Sequence, residues 1–297
     1  LDERIHLPGS LQEHGFGNKP DSETEWMSGI GMKLLDDPRF QDYVHGDPFQ
    51  CPFWLTPERH YAGAAWYSKN VKIPTDWKNK RIILHLERPH WQTTVWIDGT
   101  SAGTSDSLGV AHEYDLTDLL EPGHTSRITI CVDNRYIVPV GKDAHSISDQ
   151  TQSNWNGIVG DLCLYTKSLV SIDNVQIYPN MKKKSIDIIL RIANHASKSG
   201  EGKLTVQTET VKPTPLQEIE PKTYEIAWEG KTEIIKLEYD IGNTIYPWDE
   251  YHPSLYRLHL QLRSDQFTDS KSLTFGMREI GIEDKQFTIN GRKIFLR

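Results

Sequence analysis

The sequence has few cysteines, no long apolar run and no excess of positive charge. Cys51, Cys131 and Cys163 are an odd number at wide spacing, so we expect buried free thiols, not a disulfide framework or a paired metal site. No apolar run approaches the ~20 residues that a membrane-spanning helix needs, so no span is predicted. The formal net charge is −8, with 33 basic and 41 acidic residues, which argues against a general nucleic-acid binder.

Signatures of several common catalytic sites are also missing. The sequence contains no Gly-x-x-x-x-Gly-Lys-Ser/Thr loop, no Gly-x-Gly-x-x-Gly turn and no His-Glu-x-x-His helix. His85 and Glu87 alternate onto one face of a predicted strand, but no third ligand follows at a recognisable spacing. We therefore expect hydrogen bonding there instead of zinc, and we predict no metal ligand and no cofactor.

Charge and tryptophan divide the 297 residues unevenly. Residues 1–168 hold 15 basic and 23 acidic residues and seven of the nine tryptophans, whereas residues 169–297 hold 18 residues of each charge. The length suits roughly two domains of about 150 residues each, and cores of that size are stable without disulfides. Two different modules are the simplest explanation.

Strand signals dominate the sequence. Short alternating runs rich in Val, Ile, Thr and Trp recur between clusters of Gly, Pro, Asp and Asn. Asp98-Gly99 and Asn290-Gly291 each lie between β-prone arms and predict hairpins, because both central residues of such turns take positive φ. Only residues 115–120, closed by Pro122-Gly123, predict one or two helical turns. The predicted fold class is all-β.

The second module has a regular strand rhythm. Six strands are predicted, at residues 172–178, 185–193, 203–210, 223–228, 232–237 and 256–262. Their number and short spacing are typical of an immunoglobulin-like sandwich.

Residues 143–161 form the segment richest in chemistry. They combine carboxylates and amides, including Asp149 and Asn154, with one indole, that of Trp155. Carboxylates and amides bind sugar hydroxyls, and an indole stacks on the apolar face of a pyranose. The same composition also suits a surface loop pinned by Asx-turns, so both interpretations stay open.

Motifs in order along the first module resemble a known domain. Asp149-Gln150, then Trp155, Gly157-Ile158 and Asp161, resembles the end of the amino-terminal sugar-binding domain of family 2 glycoside hydrolases, the β-galactosidase and β-glucuronidase group. Further stretches similar to that domain are residues 63–67, 71–74, 95–99, 112–117 and 128–134.

The second module carries the resemblance further. Residues 248–258 are similar to the signature of the family's immunoglobulin-like domain, although Asp249-Glu250 departs from its usual proline. Residues 275–278 and 287–297 look like the junction with the catalytic barrel. The resemblance implies a jelly-roll, galactose-binding-like sandwich over 1–168 and an immunoglobulin-like sandwich over 169–278. Residues 279–297 then form a hairpin leading into a (β/α)8 barrel that is absent here.

In this family the acid/base and the nucleophile are two glutamates on barrel strands, which implies hydrolysis with retention. The resemblance therefore implies a non-catalytic region of a retaining enzyme that hydrolyses terminal β-glycosides, of the β-galactosidase or β-glucuronidase type. In the family the aspartate matching Asp149 reaches into the active site and bonds the glycone. Asn154 and Trp155 flank it and are further candidate substrate-binding residues.

Two alternatives stay open: an independent carbohydrate-binding module acting through Trp54 and Trp91, and a purely structural scaffold. The implied partners are a β-glycoside, the chain's own barrel and a second copy in a homo-oligomer, and the implied location is periplasmic or extracellular. Residues 293–297 end within an apolar strand, so we expect further residues after them.

Overall fold

The computed structural model describes residues 3–52, 54–145, 147–152, 154–212 and 218–296. The chain divides into two compact units, Leu1–Thr166 and Lys167–Arg297. Antiparallel sheets dominate both units, so the all-β prediction is confirmed. Among the helices in the described ranges, none has both the length and the apolarity to cross a membrane.

Ten strands are described from residue 9 to residue 168. They are β1 (Gly9–Ser10), β2 (Ala64–Lys72), β3 (Lys80–Leu86), β4 (Pro89–His90), β5 (Gln92–Ile97), β6 (Thr100–Ser105), β7 (His112–Asp115), β8 (Thr125–Asp133), β9 (Gly157–Ile158) and β10 (Leu162–Ser168). Their sheets run β2-β8-β5-β6, β10-β3-β7 and β1-β9-β4. Alternating apolar residues of β3, β5 and β8 fill the core of this unit, among them Leu84, Val95 and Ile130.

Short helices complete the first unit. They are α1 (Gly29–Leu35), α2 (Gln41–Val44) and α3 (Asp149–Gln152), with 3-10 turns at Pro38–Phe40 and Thr75–Trp77. None of them is long enough to show a sustained apolar period, which is why the pattern did not predict them. The predicted helical turns at 115–120 are a single turn, in which the Leu120 N–H donates to the Leu116 carbonyl over 2.9 Å.

The predicted hairpin at Asp98-Gly99 is confirmed. Asp98 and Gly99 have φ values of 49° and 87°, and they join β5 to β6. The expectation of buried thiols holds only for Cys51, because Cys131 is half-buried and Cys163 is exposed. Cys163 alternates away from the core along β10, and all three cysteines are free.

Ten further strands lie in the described part of the second unit. They are β11 (Val170–Asn180), β12 (Ser185–Asn194), β13 (Gly200–Lys212), β14 (Glu218–Trp228), β15 (Thr232–Asp240), β16 (Leu255–Arg263), β17 (Thr268–Phe275), β18 (Ile280–Glu283), β19 (Gln286–Ile289) and β20 (Arg292–Lys293). The sheets β11-β12-β15 and β14-β13-β16-β17 enclose an aliphatic core, and β18-β19-β20 form a third sheet.

All six predicted strands of this unit are present. The pattern missed β17, because Thr268–Lys271 are polar and only Leu273 and Phe275 among its eight residues are apolar. The second predicted hairpin is also confirmed, with φ values of 50° at Asn290 and 78° at Gly291. Its returning strand ends at Lys293, earlier than the expected run to residue 297.

Candidate functional site

The segment that carries Asp149 is tied to the chain near residue 28. The Ser28 hydroxyl lies 2.9 Å from Oδ1 of Asp143 and 2.8 Å from Oε1 of Gln150. The Ile30 N–H donates to Asp143 Oδ1 over 3.0 Å, and this bond is the main reason why the pKa of Asp143 lies below its ordinary value. These contacts hold the segment that contains Asp149, the first residue of α3, against residues 26–30.

Asp149 is a buried carboxylate that faces backbone N–H groups. Its side chain is 3 % exposed, and its Oδ2 accepts the Met27 N–H. Its Oδ1 is buried and makes no hydrogen bond of normal geometry with the described residues. Burial raises the pKa of Asp149, and the backbone N–H groups of Met27, Ser28 and Asn154 oppose this increase. The carboxylate is therefore held by backbone N–H groups in a poorly solvated position.

Four ring-bearing side chains near this carboxylate form what we call the Trp26 cluster: Trp26, Phe49, Trp54 and His60. The Trp26 ring stacks with Phe49 at 6.3 Å and meets Trp54 edge-on at 6.3 Å, and His60 lies 5.0 Å away. The Nε1 atom of Trp26 is buried without an acceptor in normal geometry within the described ranges, whereas the Trp54 side chain interacts with the Cys51 thiol and lowers its pKa. The Trp26 indole donor thus stays unsatisfied in a region of aromatic rings.

His60 and Cys51 both respond to the Asp149 charge. Burial lowers the pKa of His60, and the nearby Asp149 charge partly opposes this. Burial raises the pKa of the Cys51 thiol to about 11, and Asp149 adds to the increase. Cys51 is therefore held as a thiol, which is not the nucleophilic form.

Asn154 belongs to a buried amide network. Its Oδ1 accepts from Asn134 Nδ2 over 3.0 Å, and its own Nδ2 donates to the Asn134 carbonyl over 3.2 Å. Asn156 continues the network, with its Nδ2 donating to the Val132 carbonyl over 2.9 Å and its Oδ1 accepting from Tyr67. These bonds pin the end of the 143–161 segment to the sandwich.

Trp155 packs on a half-buried histidine. Its ring stacks on His90 at a centroid distance of 4.6 Å, and His90 meets Trp91 at 4.9 Å. Burial lowers the pKa of His90 to about 4. Trp91 is 0 % exposed, so the expectation that it binds sugar in an independent module is wrong: the side chain is enclosed by the fold.

His85 and Glu87, which were considered as metal ligands, contact other residues instead. His85 Nδ1 lies 3.3 Å from Glu113 Oε1, and Glu87 Oε2 accepts the Asp161 N–H over 2.7 Å. The residues that the structure describes contain no group of three or more His, Cys, Asp or Glu side chains able to hold a metal ion.

The three residues predicted for the site lie along one short stretch but have different surroundings. Asp149 lies beside the Trp26 cluster, Asn154 is in the amide network and Trp155 is on His90. Sequence reasoning missed Trp26 and His60, since nothing in their local pattern shows contact with a residue far along the chain. A carboxylate acceptor beside indole N–H donors is suited to binding a neutral polyhydroxyl ligand.

Comparisons with known families agree with this fold. The profile "Glycosyl hydrolases family 2, sugar binding domain" matches residues 32–168, and "Glycosyl hydrolases family 2" matches residues 170–278. The chain belongs to glycosyl hydrolase family 2, and the predicted resemblance is confirmed.

Curated relatives carry two activities in their names. A β-glucuronidase of Paenibacillus borealis is 23% identical over 256 residues, covering 80% of this chain and 40% of that protein. A β-galactosidase of Thermoanaerobacterium thermosulfurigenes is 23% identical over 280 residues, covering 90% of this chain and 37% of that protein. The chain thus spans less than half the length of either relative.

Solved structures share the fold. A family 2 member from Bacteroides cellulosilyticus superposes with a TM-score of 0.69 at 17% identity, covering 98% of this chain and 34% of that one. The β-glucuronidase 2 of Bacteroides uniformis gives 0.64 at 22% identity, covering 80% of this chain and 29% of that one. At these identities the likeness establishes the fold alone.

Proposed function

We propose that this chain is the non-catalytic amino-terminal region of a retaining family 2 glycoside hydrolase that removes terminal β-linked sugars. Both family profiles and the β-glucuronidase and β-galactosidase relatives support this assignment. In this proposal residues 1–168 are a jelly-roll sugar-binding domain and residues 169–278 an immunoglobulin-like domain. Residues 279–297 lead into a barrel that carries both catalytic glutamates.

The observation that carries a sugar-binding role is the buried carboxylate of Asp149, whose Oδ1 makes no hydrogen bond of normal geometry with the described residues. A buried polar atom without a partner costs free energy, more so on a charged group. A glycone hydroxyl that donates to Oδ1 would supply the missing bond as a charge-assisted hydrogen bond. Because Asp149 is 3 % exposed, the sugar reaches Oδ1 only when the covering stretch at Met27 shifts.

Asn154 and Trp155 support this role in different ways. The Asn154 side chain is engaged with Asn134, and its backbone N–H acts on the Asp149 carboxylate and lowers its pKa, so it positions Asp149. Trp155 is half-buried and covered by His90 on one face, which leaves its remaining surface for an apolar sugar face.

The first experiment tests the non-catalytic assignment. The purified chain is incubated with nitrophenyl β-galactoside and nitrophenyl β-glucuronide, with a complete family 2 β-glucuronidase as positive control. We expect no release of nitrophenol above buffer. Turnover that follows the purified chain overturns the proposal, because no barrel glutamates are present to produce it.

The second experiment tests Asp149 in a protein that joins this chain to its proposed barrel. Asp149→Ala is expected to lower kcat/KM for the preferred glycoside by at least about tenfold, since a charge-assisted hydrogen bond contributes about 1.5–3 kcal/mol. Asp118→Ala, at an exposed aspartate of the same unit, is the matched control. A kcat/KM within about twofold of the unaltered enzyme removes the glycone role of Asp149.

A further inference from the structure

The outer face of the β2-β8-β5-β6 sheet carries a stacked pair of indoles, one exposed and one half-buried. Trp66 on β2 stacks with Trp96 on β5, with ring centroids 5.0 Å apart and an angle of 29° between the planes. The two strands are separated by β8, so the rings meet above that strand. Trp66 is 62 % exposed, although large aromatic side chains usually bury most of their surface.

The residues around this pair are neutral and rich in hydroxyl groups. Strand register places them in two neighbouring rows across the sheet: Trp66, Cys131, Thr94 and Thr104 in one, and Ser68, Thr129, Trp96 and Ser101 in the other. Ser68 and Thr129 hydroxyls lie 3.2 Å apart, and those of Thr94 and Thr104 lie 2.9 Å apart. Each hydroxyl has one proton and two lone pairs, so each pair keeps spare hydrogen-bonding capacity.

Charged groups on this face lie only in the flanking rows. Arg127 pairs with Asn70 on one side. Asp133 lies on the other side, where it is 7 % exposed and held in an ion pair by Arg135. The two central rows are therefore suited to an uncharged ligand.

The outer face of the other large sheet of this unit, β10-β3-β7, shows the contrasting arrangement. Arg81 and Asp115 form an ion pair at 2.7 Å, and Glu113 accepts from Tyr165 over 2.7 Å and contacts His85. These groups satisfy one another, as expected of a face that meets only water. The Trp66 face has no such ionic pairing in its central rows.

We propose that the Trp66 and Trp96 face is a second carbohydrate-binding site, which holds a neutral β-linked oligosaccharide. One sugar ring stacks on the exposed side of Trp66, and its hydroxyls bond to Ser68 and Thr129. A protein partner fits this face less well, because the exposed apolar surface is essentially one indole of at most about 250 Å². A stable protein interface buries about 1,200 Å² or more in total.

The test is calorimetric titration of the whole chain with β-1,4-linked cellohexaose, xylohexaose and mannohexaose, and with hexamannuronate as the anionic counterpart. We expect saturable binding of at least one neutral hexasaccharide and none of hexamannuronate. Trp66→Ala should weaken the binding by at least about tenfold, and Trp66→Phe should retain part of it, because a smaller ring still stacks.

Two control variants isolate the site. Tyr178→Ala removes a half-exposed aromatic ring from the second unit and should leave affinity unchanged. Asp118→Asn, at an exposed aspartate outside this face, should also leave it unchanged. This test measures oligosaccharide affinity of the chain itself, whereas the test of Asp149 measures glycosidase activity, so the two proposals fail independently. Circular dichroism verifies that each variant is folded. If Trp66→Ala does not fold, the affinity of Trp66→Phe is used for the test instead.

Three results overturn the proposal. The first is the absence of saturable binding of every neutral hexasaccharide up to millimolar concentration. The second is binding that survives both Trp66→Ala and Trp96→Ala unchanged. The third is self-association, seen by sedimentation, that Trp66→Ala abolishes while no sugar binds, which would make the face an interface between copies.

Discussion

The two units of this chain differ in the buried polar atoms that lack a hydrogen bond of normal geometry among the described residues. In the described part of the first unit, the Trp26 and Trp91 indole nitrogens and Asp149 Oδ1 are buried atoms that make no hydrogen bond of normal geometry. In the described part of the second unit, Thr208 Oγ1 is the single comparable atom. Both units otherwise bury alternating apolar residues of antiparallel strands.

This difference separates stability from function. Each unsatisfied buried group costs about 1–3 kcal/mol, and natural folds keep few of them. In a sandwich that binds no ligand, such groups lower stability without a compensating contact. The second unit largely lacks them where it is described. The first unit retains them together, as expected where a ligand supplies the missing partners.

The largest expected effect tests whether the two cores are separate. Leu260→Ala in the second unit and Leu86→Ala in the first remove side chains that are 1 % and 0 % exposed. Each should lower the free energy of unfolding of its own unit by about 3 kcal/mol, because a cavity adds to the lost burial. Hydrogen exchange by mass spectrometry should show faster exchange in β13, β16 and β17 for Leu260→Ala, and in β3 and β7 for Leu86→Ala.

The matched control for this pair is Leu55→Ala, at a side chain that is 90 % exposed. It should change neither exchange pattern. If Leu260→Ala and Leu86→Ala each accelerated exchange equally in both units, the two cores would form one cooperative structure, and the comparison above would lose its basis.

Local rules were enough to predict much of the fold. Asp98-Gly99 and Asn290-Gly291 form hairpins because the turn depends on only two residues. The strand β17 was not predicted, because its residues are mostly polar and its conformation depends on pairing with β16. Helix α3 was not predicted, because four residues are too few to show a helical period of apolar residues.

The candidate site was predictable only in part, because its partners are distant in sequence. Asp149 lies in a stretch whose composition suits sugar binding, but the Met27 N–H that it accepts is 122 positions away. The stacking of Trp66 on Trp96 likewise needs the strand order β2-β8-β5, which no local pattern contains.

The second expected effect is an acid sensitivity of the first unit that originates at His90. Burial lowers the folded-state pKa of His90 from 6.5 to about 4, so the neutral ring stabilises the fold. That contribution is complete above pH 6.5 and is lost as the pH falls towards 4. Relative to His90→Phe, the unaltered chain should lose about 2 kcal/mol over this interval, measured by urea unfolding at each pH.

His90→Phe keeps an aromatic ring against Trp155 while removing the titrating group. His45→Phe, at an exposed histidine of the same unit, is the control for the substitution itself. His60 and His112 also have pKa values lowered by burial, so some acid sensitivity should remain in His90→Phe. Identical slopes for His90→Phe and the unaltered chain would show that His90 does not titrate in this interval.

The smallest expected effect has the opposite sign and concerns Asp149. Burial raises its folded-state pKa above 3.8, so the ionised carboxylate opposes folding at neutral pH. This destabilisation is complete above the raised pKa and disappears as the pH falls through it towards 3.8. Asp149→Asn should therefore increase the free energy of unfolding at pH 7, with the gain shrinking on acidification.

Asp118→Asn, at an exposed aspartate, is the matched control for these urea unfolding measurements. A variant that gains stability while losing glycosidase activity would identify Asp149 as a group retained for binding at the expense of folding. Loss of stability in Asp149→Asn at pH 7 would mean that the bond from the Met27 N–H outweighs desolvation. The carboxylate would then be a structural anchor for the 26–30 stretch, and the contrast between the two units would rest on the unpartnered indoles alone.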